Sequence, residues 1–179
     1  MDEIELISRE INGALEQYFD FPRKGVLYED FLPVFRSSRL CKGMARAFAK
    51  HIEQRGLKVD YVVGLEAKGF LIGLAIALEI GAGFVPVRKQ GKLPGKLASA
   101  PYKKEYGSDI FEIQIDCMPK GSNVVVVDDV LATGGSAGAA GKVVEACGVN
   151  IVEFQFVMEI VELGGAKVLG SPTFSLLKR

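Results

Sequence analysis

The chain has 179 residues, 49% of them apolar, which suits one domain with a real core and at most a small appendage. Its 22 basic and 22 acidic side chains cancel, so no global field draws it to nucleic acid or to a membrane surface. The three cysteines, Cys41, Cys117 and Cys147, are odd in number and widely spaced; this is neither a disulfide framework nor a zinc ligand set and fits a reducing, cytoplasmic setting.

Met1-Asp2-Glu3 lacks the basic-then-apolar order of a secretory signal. Ile4, Ile7, Ile11, Leu15 and Tyr18 recur at spacings of three and four, which predicts an amphipathic helix over 4–18. Phe19 to Pro33 is punctuated by Pro22, Gly25 and Pro33 and reads as irregular, so residues 1–33 form an accessory flap. Of its aromatics Phe19, Phe21, Tyr28 and Phe31, most belong to a core, although one on such a flap can stack on a flat ring. Ser37 or Ser38 caps a second helix that carries Met44, Ala45, Phe48 and Ile52 and stops at Gly56. His51, the only histidine, lies on that helix as a helix-end cation rather than a catalyst.

Val59 to Leu65 reads as a strand, Glu66-Ala67-Lys68-Gly69 as a tight turn, and Phe70 to Ile80 as a buried helix. The apolar run from Gly69 to Val87 is about long enough for a bilayer. Glu79 interrupts it, and Gly81, Gly83 and Pro86 break it, so a helix, a glycine stop and a buried strand over 84–87 account for it. No membrane span is expected. Arg88 to Gly107 then shows no clear secondary structure and carries Arg88, Lys89, Lys92, Lys96, Lys103 and Lys104 against a single acid, Glu105. A long basic loop of this kind, beside a phosphate site, reads as a mobile lid over 88–107 that closes on a polyphosphate and excludes water. Phe111 to Ile115 reads as a strand and Pro119 to Ser122 as a turn.

The chain is organised around residues 124–136. Val124 to Val127 describe a strand buried on both faces that ends in Asp128 and Asp129. Ala132-Thr133-Gly134-Gly135-Ser136 follows as a small loop rich in backbone N–H groups, and Ala137 to Cys147 opens a helix. Loop amides and the positive end of a helix dipole favour an anion. The two carboxylates can accept hydrogen bonds from sugar hydroxyls or approach a metal. Gly141-Lys142 is followed by Val143, so there is no Walker A loop, and the Gly-x-Gly-x-x-Gly fingerprint is absent after this strand. Ile151 to Met158 reads as the strand after the helix. The units 59–87 and 123–158 are both βαβ, and right-handed crossovers predict a single doubly wound α/β domain: a mainly parallel sheet with helices on both faces.

Branched apolar residues, Asp128-Asp129, two apolar residues and Ala132 through Ser136 resemble the phosphoribosyl-diphosphate (PRPP) motif of the phosphoribosyltransferases. Asp20-Phe21-Pro22, Gly25 through Asp30, Gly64-Leu65-Glu66, Arg88-Lys89, Gly91 through Gly95 and Glu105-Tyr106-Gly107 narrow the resemblance to the adenine phosphoribosyltransferase family, over nearly the whole chain. The resemblance implies a type I phosphoribosyltransferase fold and an enzyme of purine salvage that joins adenine to PRPP, giving AMP and pyrophosphate. Mg²⁺ enters with PRPP and has no direct protein ligand, and a homodimer is implied. Ala132, Thr133, Gly134, Gly135 and Ser136 would then cradle the 5′-phosphate. Asp128 and Asp129 would hold the ribose hydroxyls and sense the charge developing on the ring. Lys68, Arg88, Lys89 and Lys92 would meet the pyrophosphate, and Glu105 would donate a proton toward adenine N7. The backbone at Leu27 and Glu29 would read the 6-amino edge while Tyr28 stacks on the purine. Many relatives have Ser-Arg-Gly where this chain has Ala67-Lys68-Gly69, and lysine lacks arginine's two-pronged contact. Three readings remain beside it: transfer to another purine base, a non-catalytic PRPP-sensing regulator, and a generic sugar-phosphate-binding protein.

Overall fold

In a computed structural model, residues 2–103 and 108–179 are described. Helix α1 (Glu3–Ala14) buries Ile7 and Ile11 and stops short of the expected residue 18. Asn12 and Gly13 are poor helix formers, and Leu15 is already extended (φ −69°, ψ 139°). The chain then makes an antiparallel hairpin of β1 (Glu16–Phe19) and β2 (Leu27–Asp30), where a sequence reading leaves irregular chain. Tyr18 therefore sits half-exposed on the hairpin, and Phe31 just beyond it is buried in the core. The short α2 (Leu32–Phe35) leads to α3 (Ser38–Gln54), capped by Ser37, whose side chain accepts from the Leu40 N–H at 3.3 Å. His51 lies in the last turn of α3, as expected, but is not left to solvent. Its Nε2 lies 2.9 Å from Glu153 Oε2, and its ring stacks on Phe174 with centroids 3.5 Å apart.

The body of the fold continues as β3 (Tyr61–Leu65), α4 (Lys68–Ile80), β4 (Gly83–Lys89), β5 (Leu97–Lys103), β6 (Ser108–Gln114), β7 (Asn123–Leu131), α5 (Gly135–Glu145), β8 (Asn150–Glu159) and β9 (Thr173–Lys178). These strands form a seven-stranded sheet ordered β5-β6-β4-β3-β7-β8-β9. β4, β3, β7, β8 and β9 run parallel, while β6 pairs antiparallel with both β4 and β5. The expected long structureless loop is thus largely a hairpin. Ala98, Ala100 and Tyr102 turn inward while Ser99 and Pro101 face out. The alternation is carried by such small residues that it escapes a hydrophobic pattern. Pro101 is tolerated because β5 is an edge strand. Lys104, Glu105, Tyr106 and Gly107 lie outside the described residues, and with them the proposed acid.

The two sheet faces are covered by different helices. Val62, Val125, Val127 and Val157 pack with α1, α3 and α4. Val63, Val85, Val124, Val126 and Phe154 pack with α5 and the β5–β6 hairpin. From β3 the chain moves one strand outward to β4, whereas β7 lies on the opposite side of β3. The order therefore reverses between β3 and β7, and in open α/β sheets ligands bind at the carboxyl ends of strands at such a point. No helix among the described residues is long and apolar enough to cross a membrane.

Candidate active site

β3 stays paired with β7 only as far as Gly64 opposite Val127. The next two residues of β7 are Asp128 and Asp129, so both carboxylates emerge where the strand loses its neighbour on that side. The strand does not end in charge as the sequence suggests. It runs on to Leu131 through its pairing with β8. Burial above all, and then the charge of Asp129, pushes the Asp128 carboxyl well above the usual range.

The loop after β7 turns on Gly134, the N-cap of α5, at φ 82°. A Cβ there would lie 2.5 Å from Val168 Cγ2 and 2.7 Å from Gly165 O. Only glycine permits both the left-handed turn and the close packing of 165–168 beneath it. The first-turn amides of α5 have no acceptor within the helix, and Thr133, Gly135 and Ser136 are exposed around them. Residues 128 and 130–137 line a cavity of about 90 Å³. Exposed helix-start amides of this kind can seat an anion.

Across the gap, the turn after β3 is pressed close. A Cβ on Gly69 would come 2.6 Å from Val127 O, and one on Gly64 would come 2.4 Å from Gly69 O. That approach delivers Lys68, at the start of α4, to the β7 carboxylates, where its Nζ pairs with Asp129 Oδ2. Burial works to lower the Lys68 pKa, but the charge and hydrogen bond of Asp129, together with Tyr28, outweigh it and the value is raised. The Tyr28 ring centre lies 6.0 Å from the same Nζ, so the flap reaches over this point. Phe21 meets Tyr28 edge-on at 5.0 Å.

The remaining basic residues converge on an acid to which the sequence assigns no role. Glu66 accepts from Arg88 Nε at 3.3 Å, from the Lys89 N–H at 3.1 Å and from Lys92 Nζ at 3.0 Å. Burial pushes this carboxyl up, yet the Lys89 amide, Lys92 and Arg88 together hold it below the usual range. Lys89 Nζ itself turns to Asp109 at 3.7 Å. Glu66 thereby ties the β4 end and its following turn to the Lys68 turn. Its only sequence signal is position, directly after β3. Leu27 and Glu29 are on the flap strand with Tyr28, but the Glu29 side chain is taken by Arg179 and Gln17. Of the residues singled out from sequence, those at 68, 128–129 and 132–136 share one sheet edge with Tyr28, and 88, 89 and 92 join it through Glu66.

An acid pair and a backbone anion seat at one strand end, facing a cationic turn at the next, are the working parts of a phosphoribosyltransferase. The family profile described as phosphoribosyl transferase domain matches residues 34–162. The adenine phosphoribosyltransferase of Kluyveromyces lactis is 55% identical over 170 residues, covering 94% of this chain and 91% of the relative. The Saccharomyces cerevisiae enzyme, crystallised with an imino-altritol bisphosphate and adenine, superposes with a TM-score of 0.93 at 52% identity, over 96% of this chain and 99% of that one. The Giardia lamblia enzyme, in complex with 9-deazaadenine, gives a TM-score of 0.88 at 30% identity, covering 96% and 97%. The chain belongs to the adenine phosphoribosyltransferases.

Proposed function

We propose that the chain transfers the phosphoribosyl group of PRPP to N9 of adenine, releasing pyrophosphate and forming AMP. The observation that carries this reading is the meeting of Asp128, Asp129, the α5 N-terminus and Lys68 at one sheet edge, under Tyr28. The S. cerevisiae relative's complex with adenine and a sugar bisphosphate supports the same pair of substrates. Ala132 to Ser136 take the 5′-phosphate on exposed amides. As the C1–O bond to pyrophosphate breaks, positive charge builds on the ribose. Asp128 and Asp129 stabilise that charge and accept from the ribose hydroxyls.

Lys68, Arg88, Lys89 and Lys92 receive the departing pyrophosphate. Tyr28 stacks on the purine, the backbone at Leu27 and Glu29 reads its amino edge, and Glu105 exchanges a proton with N7. No covalent nucleophile is needed. Asp129 already gathers one cation, Lys68, and the pair suits a hard metal. Mg²⁺ would be held chiefly by the oxygens of PRPP beside these carboxylates, where it neutralises pyrophosphate charge.

The exposed apolar face of α4 supports a homodimer. Leu71, Leu74 and Leu78 face outward, 56%, 48% and 76% exposed, and no charge interrupts the helix from Gly69 to Leu78. A helix apolar on all sides belongs in an interior, and a second copy across a two-fold axis covers it. Free thiols at Cys41, Cys117 and Cys147 fit a cytoplasmic compartment.

The test is an assay with PRPP, Mg²⁺ and each purine in turn. AMP from adenine, with hypoxanthine and guanine idle, is expected, because a 6-oxo edge leaves the flap's donor and acceptor mispaired at about 1–3 kcal/mol each. Comparable turnover of hypoxanthine overturns the base assignment. PRPP binding without turnover of any base makes the chain a sensor.

A further inference from the structure

Side chains alternate along a strand, and on β2 the alternation divides two tasks. Tyr28 turns toward Lys68 and the carboxylates, and Glu29 turns away from them. There it meets Arg179, 150 residues further along the chain. Arg179 Nε donates to Glu29 Oε2 at 2.7 Å, and its Nη2 donates to Oε1 at 3.2 Å and also to Asn12 Oδ1. Gln17 Nε2 closes the set on Glu29 Oε1 at 3.0 Å.

The arginine is fixed from behind. Its N–H donates to Glu159 O and its carbonyl accepts from the Val161 N–H, each at 2.8 Å. The guanidinium is therefore held by the end of β8, in the central sheet, while β1 and β2 form a separate two-stranded sheet. Two strands alone are marginal in water, and Phe19 at the hairpin is 78% exposed. An exposed ion pair would contribute little. This one is two-pronged, and the Glu29 side chain is only 12% exposed. The Arg179 hydrogen bond holds its carboxyl below the usual range against the opposing effect of burial.

We propose that Arg179 is a positioning residue for base recognition: its fork on Glu29 sets the height and tilt of β2, and with them Tyr28 and the 27–29 backbone over the purine. The inference rests on the reading that this flap covers adenine. The PRPP seat, built from β3, β7 and α5, stands apart from the clamp.

Two variants and two readouts decide it. Arg179→Met keeps the aliphatic stem and loses the fork; Glu29→Gln keeps the shape and loses the charge. Each should raise the adenine KM about 10-fold, while Arg179→Met leaves the PRPP KM and kcat at saturating adenine within about 2-fold. The double variant should be no worse than either single one. Arg179→Lys should recover only part of the loss, because lysine has no fork. Tryptic cleavage at the exposed Arg23 and Lys24, in the hairpin turn, should quicken in Arg179→Met. Where the wild type uses adenine, an unchanged adenine KM in Arg179→Met, or equal rises in both substrates' KM, overturns the proposal. If the wild type does not use adenine, the functional reading has failed instead, and the cleavage rate alone decides the clamp: equal rates in wild type and Arg179→Met remove it.

Discussion

Lys68 and Asp129, 61 residues apart in the chain, form an ion pair across the gap between β3 and β7. The cation assigned to pyrophosphate is thus already engaged by a carboxylate assigned to ribose. Each side chain lowers the electrostatic cost of the other, and Lys68 also relieves the repulsion between the adjacent Asp128 and Asp129. On the proposed assignment, PRPP binding would exchange one set of charge contacts for another rather than fill an empty seat.

Lys68→Met should therefore raise the PRPP dissociation constant by about 10- to 100-fold, the range for losing a hydrogen bond to a charged group. Lys68→Arg should stay near the parent value, since a guanidinium can span Asp129 and a phosphate oxygen. Calorimetric titration with PRPP and Mg²⁺ checks both. Normal affinity in Lys68→Met would move the pyrophosphate away from this turn.

Asp128 makes a prediction about stability and pH. Because its folded pKa is raised, the native chain keeps a proton there, between the ordinary carboxylate range and the raised value, that the unfolded chain has released. Stability is therefore lost as pH rises from the ordinary carboxylate range through the raised folded value. Asp128→Asn removes that cost. Its melting temperature should exceed the parent's at neutral pH, by roughly 2–4 °C for each kcal/mol recovered, and the gain should vanish below about pH 4. Turnover should fall about 100-fold or more, because an amide cannot ionise as positive charge develops on the ribose. Thermal melts of both proteins across pH test the sign; a variant less stable at neutral pH contradicts it.

Two glycines near the anion seat should behave oppositely. Gly134→Ala forces a side chain into a left-handed residue and against Gly165 O. It should cost about 2 kcal/mol or more and weaken both PRPP and AMP, which share the 5′-phosphate. At Gly138, inside α5, an added Cβ meets only Leu169 Cδ2 at 3.9 Å. Gly138→Ala should be neutral or stabilising by up to about 1 kcal/mol. Denaturant melts distinguish the two, and equal effects would misplace the strain.

Glu105→Gln keeps hydrogen bonding but loses the titratable group. A fall in kcat of about 10²–10⁴, with PRPP affinity retained, is expected of a general acid–base residue. Steady-state rates and PRPP binding on this variant are the check. A near-normal kcat excludes the role, and lost PRPP binding makes Glu105 a binding rather than a catalytic group.

The strand, glycine turn and helix start at residues 124–136 are legible from the sequence because each part is local. Four valines specify a buried strand and a Gly-Gly turn opens a helix within a few residues, whereas the adjacent acids do not end the strand, which pairing with β8 carries on to Leu131. The Ser37 cap and the two βαβ units that imply a parallel sheet are legible in the same local way. Of the β5–β6 hairpin, β6 is read over 111–115, but β5 stays hidden because Ala98 and Ala100 bury little apolar surface, so their alternation leaves only a faint signal. The early end of α1 came down to Asn12 and Gly13, where weak propensity outweighed a continuing apolar period. The partners of Glu66, Lys68, Glu29 and His51 have no local signature at all. Glu153 and Arg179 reach His51 and Glu29 only because β8 and β9 are laid beside β7 and α3 in the assembled sheet. A charged side chain reads in sequence as solvated until packing brings a counter-charge within hydrogen-bonding distance, and that proximity is set by strand order rather than by neighbours along the chain.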